Sequence, residues 1–84
     1  MEFKPGIYQH YKGNKYIALG VAKHSETLEE LVVYITLYDN EQSKIWVRPL
    51  KMFMEEVEVD GQKTPRFKFL SNYWFSFLQK KFKG

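Results

Sequence analysis

The chain has 84 residues, short enough to be one domain, and is rich in rings, with seven Phe, six Tyr and two Trp able to bury roughly 150–250 Å² each. It has no cysteine, which excludes disulfides, thiolate metal centres and cysteine nucleophiles. The net charge of +3 is uneven: residues 1–60 carry seven basic and ten acidic side chains, whereas residues 61–84 carry six basic and no acidic ones.

Met1-Glu2-Phe3-Lys4-Pro5-Gly6 has neither a basic n-region nor an apolar h-region, so no secretory leader is expected. The longest apolar run, residues 31–35, falls far short of the roughly 20 residues of a membrane span, and the expected location is the cytoplasm. Residues 6–12 read as a first strand, closed by a tight turn at Gly13-Asn14 where positive φ is needed. Residues 16–24 and 31–38 alternate as second and third strands, joined by a polar turn over 25–30. After a polar loop over 39–44, residues 45–48 form a short fourth strand. Pro49 ends it and opens one helical turn over 50–54. Residues 57–59, a turn at Asp60-Gly61 and the pair Arg66-Phe67 read as a last hairpin. Five short strands with close turns predict a small barrel rather than an open βαβ sheet.

From Leu70 the spacing changes. Leu70, Tyr73, Trp74, Phe77, Leu78 and Phe82 recur at helical intervals, and Ser71 is a suitable N-cap, which predicts an amphipathic helix over 71–82. The chain thus divides into a barrel domain, 1–69, and a helical segment, 70–84. The basic end suits either a solvated helix terminus or an anionic partner. So heavy an apolar face needs cover: first its own barrel, then a second copy of the chain in a homodimer, then a membrane surface.

Alternation assigns faces. Ile17, Leu19 and Val21 with Leu31, Val33, Ile35 and Leu37 form an aliphatic face, read as the core. The opposite face carries Tyr16, Ala18, Gly20, Ala22 and His24 beside Val32, Tyr34, Thr36 and Tyr38. Small residues next to tyrosines leave a trough, to be filled by the C-terminal helix or by a ligand.

A series of short motifs runs along the chain: His10-Tyr11-Lys12-Gly13, His24-Ser25-Glu26-Thr27, Val32-Val33-Tyr34, Leu37-Tyr38, Trp46-Val47-Arg48-Pro49, Met52-Phe53 and Pro65-Arg66-Phe67. In this order they resemble a small bacterial family known as domain of unknown function 1653, over residues 5–67. The resemblance implies a compact SH3-like β-barrel and brings no activity with it.

His10 and His24 are the only histidines. If the first two turns fold together, they and Glu26 make a two-imidazole, one-carboxylate set suited to zinc or iron, or to small-molecule chemistry. The alternative is that each histidine only bonds within its own turn. Ser25 is a poor nucleophile for His24, because adjacent strand residues point to opposite faces. The five glycines are scattered and form no phosphate loop. Arg48 and Arg66 each sit beside a proline and an aromatic, where a fixed guanidinium can grip a carboxylate or phosphate. The competing role is internal, through Glu26, Glu55 or stacking on Trp46. Trp46, Met52 and Phe53 read as core plugs.

The reading is a mainly β protein: a five-stranded SH3-like barrel with a C-terminal amphipathic α-helix, serving as a non-catalytic binding module without cofactor or metal. Its surface comprises His10, Tyr11, His24, Glu26, Tyr38, Arg48 and Arg66, for an unknown protein or small ligand. The first rival is a barrel that binds single-stranded nucleic acid by stacking bases on Tyr8, Tyr11, Tyr38 and Trp46 with Lys12, Arg48 and Arg66 on phosphates. The second is an enzyme or metal protein built on His10, His24 and Glu26.

Overall fold

A computed structural model describes residues 3–72. Seven strands and one helix follow in order: β1 (Gly6–His10), β2 (Lys15–Lys23), β3 (Glu30–Thr36), β4 (Ile45–Pro49), α1 (Leu50–Met54), β5 (Glu56–Val59), β6 (Gln62–Pro65) and β7 (Phe67–Ser71). Five strands make one antiparallel sheet in the order β4-β3-β2-β1-β7, and β5 pairs with β6 in a separate hairpin. The sheet stays open between β4 and β7 among the described residues, so the closed five-stranded SH3-like barrel is not formed. The helical turn after Pro49 falls where its proline predicts, at Leu50–Met54.

Turn chemistry accounts for the hairpins. His10 N–H bonds Asn14 O at 2.8 Å and Gly13 N–H bonds His10 O at 2.7 Å, with Gly13 at φ +115°. Asp60 and Gly61 both have positive φ, 51° and 80°, as the tightest hairpin turns require. The partner strand there is Gln62–Pro65 rather than Arg66-Phe67, which belong to the junction with β7. Arg66 N–H bonds Glu55 O at 3.0 Å and Tyr11 N–H bonds Arg66 O at 2.9 Å, which lets Phe67 join β1.

The core lies on the face opposite to the one that aliphatic alternation suggests. Tyr8, Tyr16, Ala18, Val32, Tyr34, Phe53 and Phe67 are buried together with Thr36, whereas Leu19, Val21 and Leu37 are exposed. Cross-strand pairing explains the choice. Tyr8 lies opposite Tyr16, Tyr16 opposite Thr36, and Ala18 opposite Tyr34, so small Ala18 leaves room for rings. Phe53 of α1 and Phe67 of β7 enter that room and pack among the tyrosines of the trough. Rings bury more area per residue than aliphatics, an advantage in so small a core. Met52, read from sequence as a core plug, is exposed.

A second correction concerns phase. A bulge at Leu19 shifts the β2–β3 register, so that Gly20 lies opposite Val33 and Val21 opposite buried Val32. Beyond it, Val21 therefore shares the tyrosine face rather than the Ile17 face.

The predicted C-terminal helix meets the described residues only at its start. There Phe67–Ser71 is a strand, with Ser71 opposite Ile7, so Ser71 is not a helix cap. The remainder of the predicted helix, residues 73–82, and the rest of the segment to 84 lie outside the described residues. No helix among the described residues is long and apolar enough to cross a membrane.

Candidate ligand-binding site

Two of the expected binding residues, His10 and Arg48, meet at the Phe67 ring. β7 presents it between β1 and the core, where it stacks on Phe53 at 4.1 Å with the planes 4° apart. His10 meets it edge-on at 4.9 Å, Tyr16 at 5.6 Å and Tyr34 at 5.7 Å. The Arg48 guanidinium lies over its face, 5.3 Å from the centroid. Arg48 Nε also donates to the Tyr34 hydroxyl at 3.4 Å, a long bond that still orients the planar fork. No carboxylate forms an ion pair with Arg48 among the described residues.

Arg66 is the opposite case. Its Nη2 donates to Glu55 Oε1 at 2.6 Å, one of the internal roles that the sequence offers, and its buried Nε has no partner. The charge of Arg66 is answered; that of Arg48 is open.

Beside Arg48, a shallow pocket of about 190 Å³ is lined by Tyr16, Tyr34, Tyr38, Asn40 and Trp46. The Tyr16 and Tyr38 hydroxyls share a hydrogen bond at 2.9 Å, and Asn40 Nδ2 donates to Tyr38 at 3.5 Å. Burial, followed by Tyr38, pushes the Tyr16 phenol up to about 12, so it stays protonated at neutral pH. Trp46 is steered by its Nε1 donating to Ser43 O at 3.1 Å. The pocket is smaller than the 300–1,000 Å³ or so of drug-sized sites and suits one functional group or ring of a ligand.

His10 adds a neutral donor close by. Its proton affinity is lowered by burial first and then by Arg48, Arg66 and Lys12. Its Nδ1 accepts the Lys12 N–H at 3.2 Å, so the neutral ring carries its proton on Nε2. The Tyr11 ring lies tilted by 32° against His10 at 4.6 Å, with Lys12 Nζ over it at 5.8 Å.

His24 and Glu26 belong elsewhere. His10 adjoins the start of β2 through the Asn14 turn, while His24 follows its last residue, Lys23. Nine residues of strand put roughly 30 Å between those two ends. The composite of His10, His24 and Glu26 is therefore not assembled. His24 Nδ1 accepts the Glu26 and Thr27 N–H groups at 3.1 and 3.3 Å and so closes its own turn. Among the described residues, no cluster of three or more His, Asp and Glu is placed to hold a metal.

Tyr16, Tyr34, Asn40 and Phe67 belong to the candidate site and stand outside the surface expected from sequence, whereas Trp46 enters that expectation only as a platform for stacking bases. The signal for the tyrosines was the trough face. Asn40 and Phe67 carried none, because both arrive from outside the central hairpin.

The sequence profile of the family described as "Protein of unknown function (DUF1653)" matches residues 6–69. A search of curated proteins finds no match. A crystal structure of a DUF1653 protein from Bordetella bronchiseptica is similar, with a TM-score of 0.81 and 39% identity over 84% of this chain and 91% of that one.

Proposed function

The chain belongs to the DUF1653 family, and on that premise we propose that it is a non-catalytic binding module that takes an anionic group, carboxylate or phosphate, at Arg48. The observation that carries this reading is the state of Arg48. Its guanidinium is held on Phe67 and by Tyr34, beside a ring-lined pocket, with no carboxylate paired to it among the described residues. A planar fork fixed in this way retains its Nη donors for a ligand oxyanion, and charge-assisted pairs of that kind are the strong ones. Tyr16, Tyr38 and Trp46 offer stiff walls for a flat ligand body, and their hydroxyl and amide neighbours can align it.

Of the seven surface residues selected from sequence, this reading keeps His10, Tyr11, Tyr38 and Arg48. It gives Arg66 a supporting role through Glu55, and it leaves His24 and Glu26 aside. The test is titration of the nitrogen-15-labelled protein with inorganic phosphate, benzoate and a short single-stranded oligonucleotide at low and moderate salt. Saturable shifts at Tyr38, Trp46 and Arg48 with phosphate or benzoate, weakened about tenfold or more by Arg48→Lys, are expected. Shifts indifferent to Arg48 would overturn the reading. Binding of the oligonucleotide alone, with steep salt dependence, would replace it with the nucleic-acid alternative.

A further inference from the structure

We propose that the outer face of the five-stranded sheet is the docking surface for residues 73–84 of the same chain. The face is defined by register. Ile7 lies opposite Ile17, Ile17 opposite Ile35 and Ile35 opposite Ile45, so four isoleucines form one row across β1, β2, β3 and β4. Val33 opposite Val47 makes a parallel row beside it, and Leu19 at the bulge adds to the same side. Ile45 is 61% exposed, Val47 57% and Leu19 45%, while Ile7, Ile17, Val33 and Ile35 between them are half-buried. An aliphatic patch spanning four strands is unusual on a soluble monomer unless something covers it.

The course of the chain identifies the occupant. Ser71, the last residue of β7, lies opposite Ile7 and so stands at one end of the isoleucine row. The twelve residues that follow Asn72 include Tyr73, Trp74, Phe75, Phe77, Leu78 and Phe82, half of them large and apolar. At roughly 4.8 Å between strands, the row from β1 to β4 is about 14 Å long, well within the roughly 40 Å that twelve residues can span. Burying those side chains against the row removes apolar surface from water on both partners. Charge supports the same direction of travel. The segment ends in Lys80, Lys81 and Lys83, and the far end of the row adjoins loop 37–44, where Asp39 and Glu41 outnumber Lys44. A tethered segment also has an advantage over any partner in solution, because the tether sets a high local concentration.

The experiment is a double-mutant cycle in the full chain. I45K/V47K alters the face, F77D/L78D alters the segment, and the four proteins are compared by thermal midpoint and by amide shifts in nitrogen-15 spectra. Each pair alone is expected to lower the midpoint by roughly 4–8 °C or more, and the combination by clearly less than the sum. F77D/L78D should shift the amides of Ile17, Val33, Ile35 and Val47 more than those of Met54 and Glu55 on the other side. Should I45K/V47K not fold, I45T/V47T takes its place in the cycle. Additive effects, or shifts concentrated at Met54 and Glu55, would overturn the proposal. So would a dimer by light scattering that dissociates in either variant, since the occupant would then be a second copy. Binding to anionic lipid vesicles lost in F77D/L78D, with no coupling to the face, would overturn it in favour of a membrane surface.

Discussion

The Phe53 and Phe67 rings lie face to face, 4.1 Å apart and 4° from parallel, and this pair joins the single helical turn to the last strand of the sheet. Phe53 is 1% exposed, and Tyr8, Tyr34 and Phe3 also meet it within 6 Å. The same Phe67 ring supports Arg48 on its edge of the core. Core packing and the candidate site are thus one structure, and damage to the first should reach the second.

Phe53→Ala should therefore cost about 3–5 kcal/mol, the usual range for a buried Phe, which is a large part of the stability of a domain this small. Phe53→Leu should cost less and preserve folding. Urea unfolding with the slope compared among variants measures both. A Phe53→Ala protein with unchanged midpoint would refute the packing described.

Two glycines should behave in opposite ways. A Cβ on Gly6 would stand 2.5 Å from Ser71 O and 2.8 Å from Phe69 Cε1, with φ at +154°. Ser71 O is backbone and cannot step aside without parting β1 from β7, so Gly6→Ala should destabilise by roughly 1–3 kcal/mol. Gly20 has nothing within 4 Å of that position, and Gly20→Ala should be neutral or stabilise by a few tenths to about 1 kcal/mol. Thermal melts of the two variants side by side decide the matter.

The ion pair of Arg66 with Glu55 is short but half open to water, with side chains 21% and 48% exposed. Glu55→Gln should cost no more than about 1 kcal/mol, and less still in high salt. Denaturation at two ionic strengths would show it. A loss of several kcal/mol would mean that Glu55 holds the β7 junction far more firmly than its exposure implies.

His10 gives the site a pH signature. Its folded-state affinity for a proton lies below the ordinary histidine value of about 6.5, so folding favours the neutral ring. The stability it contributes is present above pH 6.5 or so and is lost as pH falls from there through the lowered value. An imidazole titration by proton NMR should place the midpoint below that of an unstructured histidine. A carboxylate or phosphate bound at Arg48 should raise it again, because the anion offsets the cations that depress it. A His10 midpoint unmoved by saturating ligand would place the anion away from Arg48.

Much of the local order was legible in the sequence. Alternation, Gly13-Asn14, Asp60-Gly61 and Pro49 located the first four strands, the turns and α1, because each depends on backbone preferences within a few residues. The motif series likewise announced the family. Three things depended on residues distant in the chain and were decided only by the tertiary structure. Which sheet face is core turned on Phe53 and Phe67, which arrive from α1 and β7 and fill the space that Ala18 leaves. The phase of β2 turned on a bulge at Leu19, which a period of two cannot reveal. The membership of the site turned on strand direction and register: β2 carries His24 to the far end, β3 comes back with Tyr34, β7 begins opposite His10 with Phe67, and the guanidinium of Arg48 on β4 lies over that Phe67 ring. Period and turn chemistry are local, whereas the choice of a face and the meeting of side chains follow from volume and register across strands.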